Sequence, residues 1–154
     1  MKIYVVRHGQ TDWNVAGKCQ GRTDIELNNT GIEQAKNTKG QLKNYNIDLI
    51  ICSPLKRAIK TAEIINEETK CNIIIDERLI ERGCGEVEGT TEDEWPNIVD
   101  NEDINIINNY YLNWNKKDIE PIQTICKRVW NLLDEIQEEY KDKNILLVTH
   151  GGTC

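Results

Sequence analysis

The run Ile3-Tyr4-Val5-Val6-Arg7-His8-Gly9-Gln10-Thr11 decides how this chain is read. Its apolar start, rich in β-branched residues, predicts a short buried parallel strand. The strand ends in a cation, an imidazole and a glycine, and in open α/β sheets ligands bind just beyond the carboxyl ends of strands. His8 is therefore expected where an acid, a base, a metal ligand or a nucleophile would act. Arg7 argues against a metal, because a guanidinium repels cations and forks onto carboxylate or phosphate oxygens. A second apolar run, Ile145-Leu146-Leu147-Val148, leads into Thr149-His150-Gly151-Gly152. The chain has two histidines, and each closes a strand and precedes a glycine.

Working outward, residues 9–29 are rich in Gly, Asn, Thr and Asp and read as a long loop, a length that is usually functional. Thr30-Gly31-Ile32-Glu33 has capping-box spacing and predicts a helix over about 31–44. Leu49-Ile50-Ile51-Cys52 is a second strand. Ser53 as N-cap and Pro54 at the first helical position predict a helix to about residue 69, with Ala58, Ile59, Ala62 and Ile65 as its apolar stripe. Ile73-Ile74-Ile75 is a third strand. Seven acids and no Lys or Arg fall between Glu88 and Asp103, which reads as a solvated surface insertion with a short helix near 91–99. Apolar residues from Ile122 to Tyr140 keep helical period, and the His150 strand follows. The order β-α-β-α-β-insertion-α-β predicts an α/β fold: a single domain over 1–154, with an insertion at about 82–120, a mainly parallel sheet and helices on both faces.

Composition narrows the function. A net charge of −7 argues against nucleic acid and against anionic membrane surfaces as partners. No apolar run approaches the ~20 residues of a membrane span. The four-residue apolar run at the N-terminus is too short for a signal peptide, so a cytoplasmic location is expected. Six cysteines without C-x-x-C spacing read as reduced thiols, and two distant histidines make a structural zinc site an unfavoured reading. Phe is absent, so the core must rest on Ile, Leu, Val and the four Trp.

Arg57 falls in the first turn of the second helix, where a cation is disfavoured unless an anion shares the site. Together with Arg7 it suggests a two-guanidinium pocket suited to phosphate. Glu81, soon after the third strand, is by itself a surface acid beside Arg82, and Asn14 and Gln20 are ordinary loop polars. Trp13, Tyr110, Tyr111 and Trp114 serve as pocket walls or as satellite packing. The residues alone point to an α/β enzyme acting on a small phosphorylated compound.

Four motifs then carry a resemblance: Arg7-His8-Gly9 with Thr11 and Asn14; Ser53-Pro54-Leu55-Lys56-Arg57-Ala58; Glu81-Arg82-x-x-Gly85-x-x-Glu88-Gly89; and Thr149-His150-Gly151-Gly152. In order and in spacing they resemble the signatures of the histidine phosphatase superfamily, the phosphoglycerate mutase-like phosphatases. The resemblance covers essentially residues 1–154 and implies a three-layer α/β/α sandwich. It implies that His8 is a nucleophile passing through a phosphohistidine and that Glu81 is the general acid and base. Arg7, Arg57 and His150, helped by Asn14, would bind the phosphoryl oxygens, with Gln20 and Gly21 near the substrate phosphate. Neither a metal nor an organic cofactor is implied, since the arginines supply the positive charge.

Mutases of this family carry an insertion with an Arg pair after the catalytic Glu, whereas residues 90–115 here hold no Arg or Lys. The reading is therefore a phosphatase for a small monoester with an apolar or neutral body. The α-ribazole phosphatase, phosphoserine phosphatase and sugar-bisphosphatase branches all stay open. The alternatives are a mutase-type phosphotransferase and a truncated, weakly active or inactive phosphate-ester binder. Family members continue for roughly 40 residues beyond the T-H-G-G motif, consistent with common domain sizes. A first strand left at the sheet edge would then invite a homodimer.

Overall fold

The computed structural model describes residues 1–98 and 119–154. Four strands, β1 (Lys2–Arg7), β2 (Leu49–Cys52), β3 (Asn72–Ile75) and β4 (Asn144–Thr149), form one sheet in the order β1-β4-β2-β3. Every pairing is parallel, with Val6 opposite Val148 and Ile50 opposite Leu146. The helices are α1 (Asp12–Val15), α2 (Asn29–Leu42), α3 (Lys56–Thr69) and α4 (Ile122–Glu139). Among the described residues three short 3-10 segments, Glu77–Leu79, Gly85–Val87 and Glu92–Asn97, lie between β3 and α4.

Side chains alternate across a strand, so each central strand feeds two cores. Ile50, Cys52, Leu146 and Val148 pack with Ala58, Ala62 and Ile65 of α3 on one face. Leu49, Ile51, Ile145 and Leu147 pack with Leu132 and Ile136 of α4 on the other. This is the expected three-layer α/β/α sandwich. Burying Leu132 and Ile136 contributes about 1.5–3 kcal/mol each, which is what fastens α4 to the sheet.

Several local expectations change. The first strand is not buried: among the described residues β1 is an edge strand bonded to β4 alone, and Val5 is 52% exposed. The loop after β1 contains α1, capped by Thr11, whose hydroxyl accepts from the Asn14 N–H. Asn28, not Thr30, caps α2; its Oδ1 accepts from the Gly31 N–H at 2.9 Å. An Asn cap two residues earlier wins because the chain reaches the helix pinned by the Asn28 N–H to the Gln10 carbonyl. At that crossing Gly9 and Gly31 pack backbone on backbone, where a Cβ on either would strike main-chain atoms. The helix α3 starts at Lys56 without a side-chain cap, because the Ser53 hydroxyl is engaged elsewhere. Glu88 is no solvated surface acid, as it sits half-buried and accepts four hydrogen bonds. Asp100, Glu102, Asp103, Tyr110, Tyr111 and Trp114 lie outside the described residues. No described helix is long and apolar enough to cross a membrane.

Candidate active site

Parallel strands end on the same side, so β1, β4 and β2 deliver Arg7, Thr149 and Cys52 to one edge of the sheet. The ladder continues one residue further through the His8 N–H, which donates to the Thr149 carbonyl at 3.0 Å. The Gly9 N–H donates to Thr61 Oγ1 at 3.2 Å, and that hydroxyl donates to the Arg57 carbonyl at 2.8 Å. The loop carrying His8 is thereby fixed to α3.

The His8 side chain is 7% exposed and its Nδ1 lies 2.7 Å from the Gly9 carbonyl. A carbonyl can only accept, so Nδ1 carries the proton and Nε2 keeps its lone pair. Burial pushes the imidazole down to about 4, with the Arg57 and Arg7 charges adding to this against the Gly9 carbonyl. His8 is thus neutral at pH 7, as a nitrogen nucleophile must be.

His150 is fully buried, its ring centroid 5.0 Å from that of His8. Its Nε2 lies 2.6 Å from Ser53 Oγ, and its Nδ1 has no hydrogen-bond partner among the described residues. Burial and then the Arg57 charge push it down to about 2.

Arg57 is fully buried in the first turn of α3. Its Nη1 and Nη2 donate to the Thr23 and Gly21 carbonyls, both at 2.8 Å, and its Nε has no hydrogen-bond partner among the described residues. Desolvation lowers its pKa, but a guanidinium stays charged. Among the described residues neither Arg57 nor Arg7 has a carboxylate ion-pair partner. A buried cation without a counter-charge is costly, and an anion bound beside it removes that cost.

Arg7, His8, Asn14, Gln20, Gly21, Arg57 and Glu81 all line one cavity of about 450 Å³. Of the eight residues proposed from sequence, His150 alone is packed behind this wall, while Gly151 and Gly152 after it line the cavity. Glu81 is steadied by the Arg82 N–H at 2.8 Å and the Gly152 N–H at 3.3 Å. The side-chain carbonyls of Asn14 and Gln20 both receive hydrogen bonds from Thr11, so their amide nitrogens are the groups left to donate into the cavity.

Sequence reasoning missed five contributors. Ser53 was legible only as a cap, and Thr11 only as part of a motif. Glu88 ties Arg22, Thr23 and Cys84 together through its carboxylate; the signal was its place beside Gly89 in the third motif. Lys18 and Trp95 also line the cavity, and nothing in their sequence context marked them. Trp13 is not aimed at the ligand space but packs over Gly89, with Lys18 Nζ 5.7 Å from its ring centroid.

Comparison with known proteins gives a consistent picture. A family model described as the histidine phosphatase superfamily, branch 1, matches residues 3–154. A Bacillus subtilis protein named "Uncharacterized phosphatase PhoE" is 38% identical over 150 residues, covering 97% of this chain and 72% of that protein. The phosphoglycerate mutase-like protein 4 of Arabidopsis thaliana is 34% identical over 157 residues, covering 98% of this chain and 66% of its own length. The crystal structure of the α-ribazole phosphatase of Shigella flexneri superposes with a TM-score of 0.87 at 29% identity, covering 99% of this chain and 75% of that one.

Proposed function

Since the chain belongs to the histidine phosphatase superfamily and is a phosphomonoesterase of that family, we propose both a mechanism and a substrate class for it. The substrate is a small phosphate monoester, and His8 is the nucleophile. Its Nε2 lone pair attacks phosphorus while the ester P–O bond breaks, and Glu81 gives its proton to the departing alkoxide. The phosphoryl group then rests on Nε2. In the second step Glu81 takes a proton from water, the water oxygen attacks phosphorus, and the P–N bond breaks to free His8 and phosphate. Arg7, Arg57 and the Asn14 amide stabilise the charge on the transferring oxygens.

The observation that carries this reading is the pairing, on one cavity wall, of two guanidiniums that have no carboxylate partner among the described residues with a neutral imidazole whose Nδ1 proton is held by Gly9. A hydrolase is favoured over a mutase-type phosphotransferase because residues 90–115 supply no cation to hold a second anionic group. The test is hydrolysis of p-nitrophenyl phosphate in the presence of a chelator by the parent and by His8→Ala. The expected result is chelator-resistant turnover that falls by about 10⁴-fold or more in the variant, with an acid-labile phosphohistidine trapped in the parent. Unchanged turnover in His8→Ala would overturn the mechanism.

A further inference from the structure

Two thiols that the phosphoryl chemistry does not use stand in the wall of the same cavity. Cys19 directly precedes Gln20 and Gly21, and Cys84 follows Glu81 by three residues. Both pack with Val87 and Trp95. Both side chains lie on that cluster, and the Cys84 Sγ donates to the Arg82 carbonyl 3.6 Å away. The loops hold them there. The Cys19 N–H donates to the Thr90 carbonyl at 2.9 Å, the Gly89 N–H to the Cys19 carbonyl at 2.8 Å, and the Cys84 N–H to the Glu88 carboxylate at 2.9 Å. All six cysteines are free thiols. The other four do not line this cavity: Cys52 is buried and pushed up to about 12 by desolvation, Cys71 packs against Asn66, and Cys126 and Cys154 are exposed.

We propose that Cys19 and Cys84 are a peroxide-oxidisable dithiol whose disulfide locks the Gln20–Gly21 loop onto the Glu81 loop and suppresses phosphoryl transfer. The suppression rests on the phosphatase reading above. A disulfide fixes the two sulfurs at about 2.05 Å, so one or both loops must move to close it. One loop carries the Gly21 carbonyl that accepts from Arg57 at 2.8 Å, and the other carries Glu81. Misplacing such groups by even about 1 Å costs rate heavily.

The chemistry is complete with a hydroperoxide as oxidant. The Cys19 thiolate attacks one peroxide oxygen, the O–O bond breaks, and water leaves after protonation, giving Cys19 sulfenic acid. The Cys84 sulfur then attacks the Cys19 sulfur, the S–O bond breaks, and a second water leaves with the Cys84 proton. Two thiols lose two electrons, and hydrogen peroxide is reduced to two waters. The roles are not interchangeable. The neighbouring Cys84 side chain lowers the Cys19 pKa, against burial and the charges of Glu88 and Glu81. The neighbouring Cys19, with burial, pushes Cys84 upward.

The experiment treats the parent with hydrogen peroxide, alkylates remaining thiols, and maps peptides by mass. In parallel it reads p-nitrophenyl phosphate turnover and inorganic phosphate binding. The expected result is a Cys19–Cys84 crosslink, a turnover loss of about tenfold or more, weakened phosphate binding, and recovery of both with dithiothreitol. Cys19→Ser and Cys84→Ser form no such crosslink, and each keeps its own pre-treatment rate. Absence of the crosslink in the parent overturns the proposal, as does equal inactivation of parent and variants. A reduced parent that turns over no ester, yet crosslinks and loses phosphate affinity, overturns the phosphatase reading and leaves the dithiol lock standing.

Discussion

Ser53 Oγ and His150 Nε2 lie 2.6 Å apart, joining the turn after β2 to the end of β4. Ser53 Oγ also accepts from the Leu55 N–H at 3.4 Å, so its own proton goes to Nε2. That assignment places the His150 proton on Nδ1, making this ring a donor on the side left without a partner. His8 carries its proton on Nδ1 as well, but spends it on Gly9 and leaves a lone pair to react. One tautomer thus serves two opposite roles.

Ser53→Ala removes the group that selects this tautomer and leaves Nε2 buried and unpaired. The expected loss is about 1–3 kcal/mol in stability, measured by urea denaturation. A fall in kcat/KM should accompany it. Full stability and full activity in the variant would show that Ser53 does not set the ring.

Acidification should destabilise the fold through both histidines. In the unfolded chain they titrate near 6.5, whereas in the fold His8 is lowered to about 4 and His150 to about 2. Below about 6.5 the unfolded state binds protons that the native state refuses, so stability is full above that pH and declines beneath it. The His8 share is gone once the pH reaches about 4, and His150 extends the loss toward about 2. Urea midpoints between pH 7 and 4.5, with an NMR titration of His8 in the free protein, read this directly; a His8 midpoint near 6.5 would refute it.

A Cβ built at Gly152 would lie 2.7 Å from Glu81 Oε1. The carboxylate is the movable end of its side chain, so Gly152→Ala should displace it with little effect on stability, within about 0.5 kcal/mol. An alkyl phosphate needs leaving-group protonation far more than p-nitrophenyl phosphate does. The expected loss is therefore larger on the alkyl ester. Equal losses on the two substrates would separate Gly152 from proton transfer.

Glu88 accepts from the Arg22 N–H at 3.0 Å, the Thr23 N–H at 3.0 Å, the Thr23 hydroxyl at 2.8 Å and the Cys84 N–H at 2.9 Å. It holds the loop whose Gly21 and Thr23 carbonyls seat Arg57. Glu88→Gln sets an amide NH2 against one pair of these donors, at an expected cost of about 1–3 kcal/mol. Steady-state kinetics should show KM raised more than kcat lowered, because the variant loosens an anion-binding arginine and leaves His8 and Glu81 in place.

Inorganic phosphate should stabilise the parent, by about 2.7 kcal/mol at a hundredfold excess over its dissociation constant. Arg57→Met should abolish that gain in a thermal-shift series. A variant that still responds to phosphate would place the anion elsewhere.

The expected fold was readable because parallel strands buried on both faces need uninterrupted apolar runs, and Leu49–Cys52 and Ile145–Val148 are such runs. Helix starts were less legible. Ser53 and Thr30 have the chemistry of caps, but one hydroxyl bonds a histidine and the other yields to Asn28. Local capping is worth about 1 kcal/mol, which a buried tertiary hydrogen bond readily outweighs.

By itself the sequence determined the α/β order, the pairing of each histidine with a strand end, and the four motifs that carry the family. These depend on residue type and spacing along the chain. Only the tertiary structure decided that β1 pairs with β4, that His150 lies behind His8, that Glu88 clamps the Arg57 loop, and that Cys19 and Cys84 share one cavity wall. Each of those joins groups distant in sequence, and such contacts are fixed by how sheet, helices and loops pack, which no local pattern encodes.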